Sequence, residues 1–143
     1  MKTTEEALQR IEALVYANML PTAESLSQSN YDDLLDARDA EVFAGPWTEA
    51  YAFATALFSK LPDEKRETAR VDKIRAYVFK RVYQETQVSD LASYVSDDID
   101  LLLKHLLANM QNGWVNGLWL FYQAAGIPNG RLDKHPGTLL ELV

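Results

Sequence analysis

The sequence predicts an all-α protein: one domain over residues 1–143, built as a bundle of five to seven helices. Apolar residues recur at spacings of three and four along most of the chain, which is the period of an amphipathic helix. Glycine and proline fall between these periodic segments, where helices stop. The most apolar segment, Ser96–Gly126, predicts a buried C-terminal helical hairpin around which the other helices pack.

The first half of the chain predicts two amphipathic helices and a weaker segment between them. A helix is expected to begin after Thr3, which opens a capping-box pattern, and to end near Pro21. The next part has few apolar residues, so one short helix, or two, is expected near Asp32–Asp39. Gly45-Pro46 is interpreted as a boundary before a helix. That helix has an apolar face of Trp47, Tyr51, Ala54, Phe58 and Leu61.

The second half predicts one long helix and then the hairpin. The long helix is expected from Pro62-Asp63 to about Thr86. A short helix near Asp90–Val95 is expected to precede the hairpin, whose first helix starts at Ser96. Asn112-Gly113 is interpreted as the break between its two helices, although Gly113 is also compatible with one bent helix. The inward-facing residues of the long helix are Val71, Ile74, Val78 and Val82. Three leucines of the tail are expected to pack back onto the bundle: Leu139, Leu140 and Leu142.

The composition limits the chemistry and the compartment. The chain has no cysteine, which excludes thiol catalysis, disulfides and cysteine-based metal sites. The N-terminal sequence MKTTEEALQR lacks the apolar core of a signal peptide, and no apolar run is long enough to span a bilayer. We therefore expect a soluble cytoplasmic protein without a membrane partner.

The net charge of −7 is unevenly distributed along the chain. Residues 1–49 carry −7, residues 50–82 carry +4 and residues 83–143 carry −4. An acidic protein repels the phosphates of nucleic acid at long range, so no nucleic-acid partner is expected. The balance predicts a basic protein partner.

Two charged segments are candidate binding surfaces. The first candidate is an acidic run of five residues: Asp32, Asp33, Asp36, Asp39 and Glu41. The second is a basic stripe on one side of the long helix: Arg66, Arg70, Lys73, Tyr77, Lys80 and Arg81. A basic stripe suits an acidic ligand. Both segments are also compatible with solvated helix faces, and the acidic run with pairing to the basic stripe, because exposed ion pairs stabilise a fold little.

His105 and Asp98 form the only candidate catalytic pair. They are seven residues apart on roughly one helical face, and an acid–imidazole pair can transfer protons or hold a metal. No H-x-x-x-H or E-x-x-H pattern and no third ligand at helical spacing accompanies them, so neither a metal site nor a cofactor is predicted. The simpler interpretation is a partly buried histidine that is hydrogen-bonded inside the bundle.

From Tyr94 to Pro128 the sequence contains YVSDDIDLLLKHLL, NGWVNGLWLFY and GIP in that order. This pattern resembles the C-terminal part of small acidic bacterial immunity proteins of contact-dependent and other polymorphic toxin systems. The resemblance implies a non-enzymatic protein that binds one toxin domain tightly and blocks it. It transfers no site residue, because toxin-contacting residues differ between such families.

The predicted function is neutralisation of a cognate bacterial toxin domain, a basic nuclease, through the acidic surface. One alternative is a small metal- or acid/base-dependent hydrolase centred on His105 and Asp98. Another is an adaptor or regulator that binds an acidic ligand through the stripe from Arg66 to Arg81. The sequence does not predict the oligomeric state.

Overall fold

The computed structural model describes residues 2–143, and this part of the chain forms helices joined by short loops, except for the longer connection over residues 124–138. The nine helical segments exceed the predicted five to seven because three of them are single turns of four residues. In chain order they are α1 (Thr4–Tyr16), α2 (Ala23–Leu26), α3 (Tyr31–Asp39), α4 (Glu41–Ser59), α5 (Asp63–Arg66), α6 (Thr68–Thr86), α7 (Ser89–Leu107), α8 (Gly113–Gln123) and α9 (Leu139–Leu142). The predicted all-α fold class is confirmed.

Helix α7 lies at the centre of the fold. Twelve of its 19 residues are buried, so it has apolar neighbours around most of its circumference. It packs against α1, α3, α4, α5, α6, α8 and α9, and most extensively against α6. The element that organises the fold is therefore the helix before the predicted hairpin break.

The predicted apolar faces of the flanking helices are largely confirmed. On α6, the four residues predicted to face inward are all buried: Val71, Ile74, Val78 and Val82. On α4, Ala54 is buried, whereas Trp47, Tyr51 and Phe58 are half-buried. Leu61, predicted on the same helix, is half-buried just beyond its end. Side chains three and four residues apart share one helical face, so a period near 3.6 locates the buried side without any tertiary information.

Helix α8 begins where the hairpin break was predicted. The Asn112 side chain accepts hydrogen bonds from the backbone N–H groups of Trp114 and Val115, which caps the helix. Trp114 and Trp119 are buried, but Leu120 is 37% exposed, so the helix is less fully enclosed than its sequence predicts. The tail returns to the bundle through α9, where Leu139 is buried and Leu140 and Leu142 are half-buried, as predicted.

The predicted start of a helix at Ser96 is wrong. Ser96 is buried in the middle of α7, and its hydroxyl donates a hydrogen bond to the Ser93 carbonyl in the turn before it. The short helix predicted near residues 90–95 is the first part of this same helix. Consecutive acidic residues after a serine imitate a helix N-terminus, but Asp98 and Asp100 here meet Arg38 of α3 and Arg75 of α6, so the helix continues through them.

Three other predicted boundaries are also wrong. Gly45-Pro46 lies inside α4, where Pro46 removes one backbone hydrogen bond without ending the helix. The long helix predicted from Pro62-Asp63 to Thr86 is interrupted at Glu67, whose φ of 50° is left-handed. Helix α1 ends at Tyr16, earlier than predicted, because Asn18 turns the chain with a φ of 61° before Pro21 is reached. Within residues 2–143, no helix is both long and apolar enough to traverse a bilayer.

Replacing Trp119 tests the packing of α8 against the core. Because Trp119 is only 2% exposed, Trp119→Ala should leave a large cavity and lower the free energy of unfolding by about 3–5 kcal/mol. Leu120→Ala on the same helix is the control, and its loss should be much smaller because Leu120 is partly exposed. Urea melts measure both losses, and equal losses would contradict this packing.

Candidate functional site

A buried ion pair joins α3 to α7. The Arg38 guanidinium donates from Nη1 to Asp98 Oδ2 at 2.7 Å and from Nη2 to Asp98 Oδ1 at 2.8 Å, which is a two-point contact. Arg38 is 5% exposed and Asp98 is 0% exposed. Arg38 Nη1 also donates to the Pro128 carbonyl at 3.1 Å. This pair therefore ties the acidic segment to the central helix and to the loop after α8.

Two aromatic side chains complete the surroundings of the Asp98 carboxylate. Trp47 on α4 donates from its indole N–H to Oδ1 at 2.9 Å, and Tyr122 on α8 donates from its hydroxyl to Oδ2 at 2.6 Å. Burial alone would lower the pKa of Arg38, but the adjacent Asp98 carboxylate raises it above its ordinary value. Burial and Asp98 together raise the pKa of Tyr122 well above its usual range. Arg38 is therefore charged and Tyr122 neutral at physiological pH.

A second buried carboxylate lies beside the first. Asp100 Oδ2 accepts hydrogen bonds from Tyr51 at 2.7 Å and from Lys104 at 2.8 Å, and Arg75 lies 3.6 Å away. Burial acts to lower the pKa of Lys104, but the interaction with Asp100 raises it. Tyr51 stacks on Trp47 with ring centroids 4.9 Å apart, which joins the two polar clusters. Both buried acids of α7 thus have cationic partners.

The acidic run is exposed on the outer face of α3 and at the start of α4. We call these five residues the acidic surface: Asp32, Asp33, Asp36, Asp39 and Glu41. Among residues 2–143 none of them takes part in a salt bridge, and the predicted pairing with the basic stripe is not observed. The opposite face of α3 is held in the core by Leu34 and Arg38. The carboxylates are therefore presented to solvent from a firmly anchored helix.

The basic stripe is not one continuous free surface. Arg66 lies on α5 and pairs with Asp63, whereas Arg70 on α6 binds Glu5 and Glu12 of α1 at 3.0 Å. Arg81 is buried, where it donates to the Pro21 carbonyl and pairs with Glu85. Tyr77 donates to the Asn18 side chain. Lys73 and Lys80 are exposed. Arginines predicted to face a ligand thus hold α6 to its neighbours.

The predicted acid–imidazole pair does not form. His105 is completely buried, and neither ring nitrogen has a hydrogen-bond partner within the described residues. Asp98 is bound by Arg38, Trp47 and Tyr122 instead. The simpler interpretation was correct about burial but wrong about a hydrogen bond. Residues 2–143 also contain no group of three or more histidine, aspartate or glutamate side chains placed to hold a metal ion.

Sequence reasoning missed Arg38, although the sequence contains an indication of its role. Arg38 is the only basic residue between Arg10 and Lys60, and it lies four residues after the buried Leu34. A lone cation on the apolar face of an acidic helix indicates a buried partner, because unpaired charges are rarely buried. The identity of that partner, 60 residues later, is not encoded in any local pattern.

The chemistry and the fold together define a class: an all-α protein that exposes an acidic surface and holds its buried charges in ion pairs. A family model described as "Immunity protein PIM1" matches residues 10–129, and the chain belongs to this family of immunity proteins. The matched range contains the acidic surface, both buried carboxylates and the Pro128 carbonyl. The predicted resemblance to immunity proteins is confirmed. No curated protein matches the chain.

Breaking the Arg38–Asp98 pair should destabilise the protein strongly. Asp98→Asn leaves the Arg38 charge buried without its counter-charge, so we expect the free energy of unfolding to fall by about 3–5 kcal/mol. Asp36→Asn on the exposed face of α3 is the matched control and should change stability by less than about 0.5 kcal/mol. Urea denaturation measures both values. A loss below about 1 kcal/mol for Asp98→Asn would refute the structural importance of the pair.

His105 should make stability depend on pH in a defined range. Burial lowers its folded-state pKa to about 4, against about 6.5 in the unfolded chain. Between these two pH values the unfolded state binds more protons than the folded state. The free energy of unfolding is therefore highest above about pH 6.5, as far as His105 determines it, and decreases as the pH falls toward about 4. The loss should be on the order of 3 kcal/mol.

His105→Leu provides the comparison, since it removes the titrating ring and the two unpaired nitrogens. We expect the variant to be at least as stable as the parent at pH 7. The difference in unfolding free energy should widen in favour of the variant between pH 6.5 and 4. Denaturant melts across this range measure it, and parallel pH profiles would disprove the titration of a buried neutral His105.

Proposed function

We propose that this immunity protein neutralises a cognate bacterial toxin domain by binding it stoichiometrically, without catalysis, through its acidic surface. Membership in the PIM1 family supports the immunity function. The observation that favours this surface is its unpaired charge: five exposed carboxylates without an ion-pair partner in the described part of the chain. Buried charges elsewhere on α3 and α7 have such partners, so this excess is available to a second protein.

The partner chemistry that fits this surface is basic. A nuclease toxin binds a polyanion, so the groove that receives its substrate carries positive charge. Carboxylates at positions 32, 33 and 36 project from one α-helix and oppose such a groove, which would exclude the nucleic acid. Opposite charges also accelerate the encounter between the two proteins. We propose that the two proteins meet in the cytoplasm and that they belong to a polymorphic toxin system.

The two rival functions have less structural support. A hydrolase centred on His105 and Asp98 needs a proton path between them, whereas Asp98 is bound on both oxygens by other residues. An adaptor that uses the basic stripe needs free guanidinium groups, whereas Arg70 and Arg81 bind groups of their own chain. The carboxylates of the acidic surface, in contrast, form no salt bridge within residues 2–143.

Charge reversal on α3 tests the proposal. Asp32→Lys with Asp36→Lys should leave the fold intact, because both side chains are exposed. The matched control is Glu64→Lys with Asp72→Lys, which changes the net charge equally at exposed positions on α5 and α6. The α3 variant should slow association with the toxin domain by at least about tenfold, and more at low salt, because charge steering acts on the association rate.

The partner for this experiment is an inactive form of the toxin domain encoded beside the immunity gene. Stopped-flow mixing gives the association rate, and survival of cells that express the active toxin gives protection. Equal association rates for both double variants would show that the acidic surface is not part of the interface. An absence of any complex with the unsubstituted protein would refute toxin binding itself.

A further inference from the structure

A cleft of about 140 Å³ opens beside the acidic surface, between α3, α4 and α7. Its walls are aromatic: Phe43 and Trp47 from α4 and Tyr94 from α7. Carboxylates of Asp39 and Asp97 also line it. Asp39 belongs to the acidic surface, so the cleft is continuous with that surface. Aromatic walls with acidic groups can attract a cation, as in a recognition pocket for a charged side chain.

We propose that this cleft receives a lysine or arginine side chain of the toxin and forms the anchor of the interface. The inference rests on the proposed function and adds the position and chemistry of its central contact. The long apolar stem of a basic side chain packs against aromatic rings, while its charged head binds a carboxylate. The faces of aromatic rings also attract cations directly.

The carboxylate that fits the incoming charge is Asp39. It accepts a hydrogen bond from the Tyr94 hydroxyl but takes part in no salt bridge among residues 2–143. Asp97 already pairs with Arg75 at 2.7 Å, so its charge is partly balanced. Asp39 thus supplies a negative charge without a salt-bridge partner in the described residues, next to the Tyr94 wall of the cleft.

The floor of the cleft is Arg38, and its charge does not oppose a cation. Its guanidinium is balanced by Asp98 at 2.7 Å, and it lies 4.3 Å from the Phe43 ring centroid and 5.3 Å from that of Tyr94. The aromatic walls therefore already accept one guanidinium. An anionic ligand is disfavoured, because both terminal nitrogens of Arg38 donate to Asp98 and one also to the Pro128 carbonyl.

The walls are held in place before any partner arrives. Trp47 is fixed by its hydrogen bond to Asp98, and Tyr94 by its hydrogen bond to Asp39. A pocket that is already ordered loses little conformational entropy when it is filled, so more of the contact energy appears as affinity. Pockets of this kind typically accept the few residues that dominate an interface.

Thr48→Trp tests the cleft by filling its mouth with a neutral side chain. Thr48 is exposed on α4 and lines the cleft, whereas the exposed Thr55 on the same helix does not, so Thr55→Trp is the matched control. Calorimetric titration with the inactive toxin domain should show at least about tenfold weaker binding for Thr48→Trp. Thr55→Trp should bind within about twofold of the parent. Both variants should retain the thermal melt of the parent.

Asp39→Asn tests the charge of the occupant. The substitution keeps an oxygen that accepts the Tyr94 hydrogen bond and removes only the charge, so binding should weaken by several-fold to about tenfold and depend less on salt. If the parent protein binds the toxin domain and Thr48→Trp binds it with the same affinity, the cleft is not part of the interface, whereas the proposed function is unaffected. If Thr48→Trp binds weakly and Asp39→Asn binds with full affinity, the side chain that enters the cleft is not basic. A parent protein that binds no toxin would refute the proposed function.

Discussion

The ion pair between Arg38 and Asp98 is the interaction on which the rest of the structure depends. Side chains or carbonyls from α3, α4, α8 and the loop after α8 all converge on this pair, which is centred on α7. Burying two charges is costly, and the cost is offset only when geometry is good and every remaining donor or acceptor is satisfied. Four hydrogen bonds to the Asp98 carboxylate meet that condition on its side. Apolar packing alone would bring these elements together with far less restriction on their relative orientation.

The same pair determines what α3 presents to solvent. Helix α3 has only nine residues and a sparse apolar face, so packing alone would hold it weakly. Arg38 fixes its rotation, and this turns Asp32, Asp33 and Asp36 outward. It also sets the floor of the adjacent cleft and, through Asp98, the position of Trp47. The core and the proposed interface are therefore parts of one polar network, and a substitution at Asp98 is expected to affect both.

Local sequence was sufficient to predict the fold class, the buried face of α6 and the break before α8, because each depends on residues close in sequence. It failed at Ser96, where a local N-cap pattern lies in mid-helix, because Asp98 and Asp100 meet Arg38 and Arg75 from other helices. The acidic surface was located by charge alone, whereas the cleft beside it was not predicted, since its walls come from three helices. Local patterns report which face of a helix is buried, and they contain no information about which distant side chain it meets.

The distribution of cations explains why the acids of α3 remain without ion-pair partners in the described part of the chain. Arg38, Arg70, Arg75, Arg81 and Lys104 all pair with carboxylates of their own chain. These pairs neutralise acids on α1, α6 and α7 and hold those helices together. The four aspartates of α3 take part in no salt bridge among residues 2–143, so their negative charge remains uncompensated. A charge excess beside ordered aromatic walls fits the proposed basic partner, because charge attracts it at long range and an ordered pocket can anchor one of its side chains.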